Sequence, residues 1–421
     1  MAGAGRNALS TAFSVKAGNS GRRFDPAALA GLLVIAYAAF LVGAVVAGAW
    51  LVGPDGHPVT VDFLSFWAAG RLALAGQAAA AYDFAAHKAV EVAAIGHPFE
   101  GYYSWYYPPT FFLVMVPVAA LPYVPALVAW MVASLAGFLA AIRLVLPRRE
   151  AMVFAAAVPV VLWNFSAGQN GFLSAGLMAA ALAAIDRRPA IAGILIGCLT
   201  YKPQFGILIP LALACGGYWR VFLAAAATTV VLAGASILAF GIAPWSGFLA
   251  SIHVAYQTIL VDNLVGAEKL QSIFGLVRFL GGSTNLAWAA QYAVAAPVIG
   301  FVAFVWWRRY PIDLKAAALV AGTALATPYV LIYDLVILIV PVAFLARNGL
   351  SRGEVWAALA ASLCLFAYAL SSGPVGLPAS LIVMGMAVRR VLGEGRRLSM
   401  ASQLPLFSRE EGRGWPAQGR P

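Results

Sequence analysis

The chain has 421 residues, of which 62% are hydrophobic and 10% charged, against about a quarter charged in soluble domains. With a mean hydropathy of +0.86 it is no ordinary soluble fold. The net charge of +11 does not mark a nucleic-acid binder, because the basic residues stand in short clusters between apolar runs, which is a pattern of membrane topology. Cys198, Cys215 and Cys364 each lie inside an apolar segment without CxxC spacing, so they read as small buried hydrophobes rather than disulfides or ligands.

In chain order, residues 1–25 are polar and rich in Gly, Ser and Ala, and read as a disordered cytosolic N-terminus without a signal-peptide pattern. Arg22 and Arg23 precede a first span over 27–51, long enough for a hydrocarbon core of about 30 Å. That basic pair holds the start of the span in the cytosol, so the loop that follows, 53–109, falls on the opposite side. Two short helices are expected in this loop, 64–77 and 82–95, the second capped by Asp83 and ended by Gly96 and Pro98. His87, Lys88 and Glu91 share a face of the second helix, which reads as solvated surface.

Residues 110–121 are apolar but short, followed by Pro122 and Pro125, and are either re-entrant or a short span. A full span over 126–146 ends at Arg143, Arg148 and Arg149. Compact apolar segments follow at 151–163, 171–185, 189–200 and 205–215, then a span over 221–241 and an outer loop over 242–284. Further segments are 286–307, one ending near 328, 331–346, 354–371 and 378–392. The basic clusters alternate consistently if there are about twelve spans with both termini cytosolic. The expected fold class is an all-α polytopic membrane protein of the cell membrane, with one transmembrane domain over 26–392 and a polar, disordered tail over 393–421.

Chemistry-bearing residues gather on the non-cytosolic side of this arrangement. Asp62 lies beside Phe63, Phe66 and Trp67, where partial desolvation would raise its pKa and make it a general base near neutrality; an equally open reading is a helix N-cap. Trp105-Tyr106-Tyr107-Pro108-Pro109 forms a stiff aromatic turn, either a wall for a sugar ring or an interfacial belt. Lys202, in Thr200-Tyr201-Lys202-Pro203-Gln204, is a cation that breaks the positive-inside pattern; it calls for an anion such as phosphate, or snorkels to headgroups. Gly168-Gln169-Asn170-Gly171 offers amides suited to sugar hydroxyls, and Tyr333-Asp334 a second carboxylate able to pair with Lys202, Arg71 or Arg278. No zinc spacing, Walker loop or nucleotide fingerprint occurs, so a membrane-soluble donor fits better than a sugar nucleotide. Glycines inside the spans read as sites of close helix packing.

Through Asp62-Phe63, Phe66-Trp67-Ala68-Ala69-Gly70, Tyr107-Pro108-Pro109, Gly168-Gln169-Asn170 and Lys202-Pro203-Gln204, the chain resembles glycosyltransferase family 87 over roughly residues 30–390. This group includes polyprenol-phosphate-mannose-dependent α-1,2-mannosyltransferases. The resemblance implies a GT-C bundle with a catalytic aspartate in the first non-cytosolic loop, here Asp62, and a polyprenyl-phosphate sugar as donor, with no cofactor and no metal. It implies a periplasmic or exterior active site and a glycolipid or glycan acceptor. Transfer would be inverting, with Asp62 taking the acceptor proton and Lys202, Arg71 and Arg278 facing the donor phosphate. Trp67, Tyr106, Tyr107, Gln169, Asn170, Gln204, Tyr333 and Asp334 would contact sugar or acceptor. Some mannosyltransferase members carry a late histidine; the region of Tyr333-Asp334 has none, and His253 is the only late histidine, which leaves the sugar open. The competing readings are a transporter or lipid-linked-sugar flippase, and a scaffold subunit without activity.

Overall fold

The computed structural model describes residues 25–101, 103–264, 266–371 and 373–403. Of the expected disordered ends, 1–25 and 393–421, residues 1–24 and 404–421 lie outside the described residues, while 393–403 are helical. The described chain is helical, and its only extended pairings are two isolated bridges, Val52 with Pro58 and Leu270 with Leu331.

Helix α1 (Pro26–Val46) starts where the Asp25 side chain accepts from the Ala27 N–H at 2.9 Å, with proline at its first position. It is apolar all round and only Ala30 is buried, as fits a helix that faces lipid. The expected loop then folds into a helical subdomain of α2 (Phe63–Leu74), α3 (Phe84–Ile95) and α4 (Phe112–Ala119). Its core is a separate apolar cluster built on Phe63, Phe66, Trp105, Phe111, Phe112 and Met115. The two helices expected within the loop are thus present. The short apolar stretch after Pro109 forms a short helix: α4 has eight residues, about 12 Å of rise, and packs against α2, where Gly70 meets Ala119 and the Met115 carbonyl.

The solvated face expected on α3 is corrected. His87 and Glu91 are fully buried, with His87 Nδ1 at 3.0 Å from the Ala81 carbonyl and Nε2 at 3.5 Å from Glu91 Oε1. Lys88 reaches outward from the same turn, donating to the Gly101 carbonyl at 2.6 Å over the Phe99 ring. Phe99 and Gly101 thus lie against the outer edge of this helix at Lys88.

The bundle continues through α5 (Tyr123–Val145), α6 (Arg149–Ala156), α7 (Pro159–Ala167), α8 (Gly171–Ala184), α9 (Pro189–Cys198), α10 (Pro203–Gly206), α11 (Ile209–Gly216) and α12 (Trp219–Phe240). It closes with α13 (Ala243–Ala255), α14 (Ile273–Phe279), α15 (Thr284–Trp307), α16 (Ile312–Ala326), α17 (Ile339–Ala346), α18 (Arg352–Ala367) and α19 (Gly376–Gln403). Among the described residues five helices (α1, α5, α12, α15 and the 376–396 part of α19) are long and apolar enough to cross a membrane, or six if α6 and α7, bent by 67°, count as one. The sequence count of about twelve is not reached by that measure. Several of the expected spans form shorter apolar helices, such as 171–184, 189–201 and 332–346. The last helix also runs to Gln403, past its expected end at 392.

Two packings hold the centre. Every residue of α16 from Leu314 to Leu325 is buried, so this helix is the hub of the main core. Helices α9 and α12 meet at Gly193 and Gly197, where a Cβ would lie 2.4 Å from Ala224 Cβ and 2.5 Å from Thr228 Cβ. Small residues four apart let two helix backbones approach where dispersion replaces the hydrophobic effect as the driving force.

Candidate active site

Asp62 sits at the start of α2 with helical φ of −57° and ψ of −26°, and its side chain makes no capping bond. A cap normally has extended backbone and accepts from the second or third N–H of its helix, so the cap reading lacks its geometry. The carboxylate instead turns toward the α7–α8 turn, where Gln169 Nε2 donates to Asp62 Oδ2 at 3.0 Å. Among the described residues Oδ1 accepts no hydrogen bond. Burial lifts the Asp62 carboxyl above the ordinary carboxylate range; the Gln169 bond and the Lys269 charge pull it partly back, while Asp334 pushes it up.

The turn that carries Gln169 is built by Asn164, which is fully buried at the end of α7. Its Nδ2 donates to the Gln169 carbonyl at 3.2 Å and its Oδ1 accepts from the Gly171 N–H at 2.9 Å. Gly168 supplies the left-handed residue, φ 71°, and backs onto Phe63 so closely that a Cβ would lie 2.6 Å from Phe63 Cβ. The chain thereby presents two adjacent amides in opposite directions, Gln169 to Asp62 and Asn170 to Lys202.

Lys202 is 3% exposed, far too buried for snorkelling. Its Nζ donates to Asn170 Oδ1 at 2.7 Å and to Asp334 Oδ1, with which it forms a buried ion pair. Asp334 Oδ2 accepts from the Leu331 N–H at 3.1 Å. One polar chain thus runs from Asp62 through Gln169, Asn170 and Lys202 to Asp334. Tyr201 closes its floor, its hydroxyl 2.6 Å from Ser174 Oγ and 3.3 Å from the Asn170 carbonyl.

Aromatic rings wall this chain. Tyr107 packs on Phe66, Phe111 and Tyr201, with ring centroids 5.3, 5.0 and 6.4 Å away, and its backbone carbonyl is held by Tyr82 OH at 2.7 Å. Burial lifts the Tyr107 phenol well above its usual range, which leaves it a hydrogen-bond donor. Tyr333 stands within electrostatic reach of Asp62, Asp334, Tyr329 and Tyr107. Tyr106 points to the neighbouring loop, its hydroxyl 3.5 Å from Thr258 Oγ1. Gln204 is half-buried and makes no hydrogen bond among the described residues.

The structure brings together Asp62, Tyr107, Gln169, Asn170, Lys202, Tyr333 and Asp334. It does not bring Arg71, Trp67 or Arg278. Arg71 lies about 13 Å along α2 from Asp62 at 1.5 Å per residue, with its guanidinium over the Trp67 ring. Trp67 Nε1 donates to the Leu121 carbonyl at 2.9 Å. Arg278 donates to the Gly282 and Val261 carbonyls, both at 3.0 Å, and so braces its own loop. Sequence reasoning missed Asn164, Tyr201, Tyr329 and Lys269.

A model of glycosyltransferase family 87 matches residues 105–332. The chain belongs to glycosyltransferase family 87. As a family member it is a membrane glycosyltransferase, which decides against the transporter and scaffold readings. Tyr107, Gln169, Asn170 and Lys202 lie inside the matched stretch, with Asp62 before it and Asp334 just after it. No curated protein and no solved structure matches the chain.

Proposed function

We propose that this family 87 enzyme moves a hexose from a polyprenyl-phosphate donor to a glycolipid or glycan acceptor on the extracytoplasmic side, with inversion, and that Asp62 is its general base. One observation carries the reading: a carboxylate at a helix start that caps nothing, is held by one amide, and keeps one oxygen free. A base of this kind must meet its substrate with an unspent lone pair and a pKa lifted toward the working pH.

The acceptor hydroxyl gives its proton to Asp62 Oδ1 as its oxygen attacks the anomeric carbon. The bond from that carbon to the phosphate oxygen breaks on the opposite face, through an oxocarbenium-like transition state, and polyprenyl phosphate departs with the bonding pair. Lys202 has three N–H donors; Asn170 and Asp334 take two, and the third serves the leaving phosphate. The Tyr107 and Tyr333 rings flank the sugar.

The test supplies the purified protein with labelled polyprenyl-phosphate hexoses and candidate glycolipid acceptors, then identifies the labelled product. Asp62→Asn lowers the rate by about 10²–10⁴-fold, the contribution of general-base catalysis, with an unchanged size-exclusion profile and retained donor binding. Full activity in Asp62→Asn overturns the assignment.

A further inference from the structure

We infer that Lys269 is the cation that receives the phosphate of the donor at the mouth of the site. The inference rests on the polyprenyl-phosphate reading above and adds a residue that the sequence left unassigned. It starts from the charges around Asp62. Asp62 and Asp334 are two carboxylates, and the buried cation beside them, Lys202, is bonded to Asp334. A phosphate entering that arrangement alone would meet net negative charge. Lys269 restores the balance: it is exposed, lies within electrostatic reach of Asp62, and forms no ion pair among the described residues.

Its position is fixed by more than charge. Lys269 ends a short 3₁₀ turn, Ala267–Lys269, and the next residue, Leu270, pairs with Leu331, three positions before Asp334. Gln271, fully buried, anchors the loop: its N–H donates to the Val330 carbonyl at 2.8 Å and its Nε2 to the Glu268 carbonyl at 2.9 Å and the Lys269 carbonyl at 3.3 Å. Gln271 Oε1 accepts from the Gly376 N–H at 2.7 Å, and Ser272 Oγ donates to the Pro328 carbonyl at 2.7 Å. A loop tied at so many points holds the Lys269 backbone in register with the site, so little ordering remains to be done when an anion binds. Glu268 beside it folds over Gly266 and reaches toward Tyr368. The loop of Lys269 is therefore pinned by Leu270 and Gln271 to the segment that leads into Asp334, and a phosphate arriving between the two carboxylates would find a second cation beside them.

The experiment measures donor KM, acceptor KM and kcat for the full-length protein in nanodiscs of zwitterionic lipid, and repeats them in anionic lipid. Lys269→Ala is expected to raise the donor KM about ten- to a hundredfold, the loss of one hydrogen bond to a charged group, with acceptor KM and kcat nearly unchanged. Lys269→Arg restores the donor KM, and raised salt weakens donor binding in the unsubstituted protein more than in Lys269→Ala. A merely structural role would not move the pH profile. Asp62 faces Lys269, Asp334, Tyr103, Tyr329 and Tyr333, and only the Lys269 charge is altered here, so the acid limb of kcat/KM moves to higher pH in Lys269→Ala and further in Lys269→Glu. An unchanged donor KM in Lys269→Ala overturns the inference, as does an effect confined to anionic nanodiscs, which would assign Lys269 to bulk headgroups. Failure of the underlying reading shows separately, as unsubstituted protein that transfers nothing from polyprenyl-phosphate hexoses.

Discussion

Replacing Gln169 with leucine removes the one hydrogen bond that the Asp62 carboxylate receives among the described residues, the 3.0 Å contact from Nε2 to Oδ2. A hydrogen bond to a charged group contributes about 1.5–3 kcal/mol, and that support is lost from the ionised form alone, so the Asp62 pKa rises further above the ordinary carboxylate range. The direction is fixed by the chemistry: the bond favours the ionised carboxylate, and its loss adds to the burial that already lifts the group. A general base works only when ionised, so the acid limb of the kcat/KM profile moves to higher pH, and activity near neutral pH falls while the alkaline plateau is largely kept. Gln169→Glu sharpens the test, because it sets a second carboxylate beside Asp62 and the two would share a proton. The assay is the pH dependence of initial transfer rates, with donor and acceptor varied separately. An acid limb in Gln169→Leu that overlays the unsubstituted profile would refute the assignment of Asp62 as base held by Gln169.

Asp62→Asn also has a stability signature. Because folding raises the Asp62 pKa, its contribution to stability is present at low pH and lost as pH rises through the folded pKa; the Asn variant escapes that loss, so its Tm at neutral pH equals or exceeds that of the unsubstituted protein in a thermal scan. Lys202→Met or Asp334→Leu alone strands a buried charge and costs about 3–5 kcal/mol, whereas the double substitution recovers most of the Tm; equal losses in all three would refute the pairing as the stabilising feature. His87→Ala and Glu91→Ala, which a solvated face would tolerate within about 0.5 kcal/mol, each lower stability by more than about 1 kcal/mol in the same scan, since both side chains are fully buried.

The carriers of the site were legible because polarity is rare in this chain. Asp62, Gln169, Asn170, Lys202 and Asp334 stand out against apolar surroundings, and an uncovered polar group in lipid has to meet a partner. What composition could not show is which partner each one meets. Arg71 looked equally suitable by side and charge, yet it lies nine positions after Asp62 on one helix, and at about 100° per residue that spacing sends the two to opposite faces. His87 and Glu91 have the spacing of a surface face, yet both are fully buried, and no periodicity foretells which neighbours pack over a helix. The number of spans is less legible for a related reason: apolar length marks burial, and helices such as α8 and α9 are buried in part against neighbouring helices.

The placement of Lys202 bears on the division of labour between the two carboxylates. Asp62 and Asp334 are joined through two neutral amides on one turn, and Lys202 bonds to Asp334 rather than to Asp62. A carboxylate paired directly with a lysine is stabilised in its ionised form and is a weaker base. Asp62 is spared that pairing, receives a single amide, and keeps its pKa raised by burial. Asp334 takes the charge instead, holding Lys202 and, through it, Asn170 and the turn that aims Gln169. If the cation were moved to Asp62, the same residues would make a tighter ion pair and a poorer base, so the catalytic assignment follows from which carboxylate the lysine leaves unpaired.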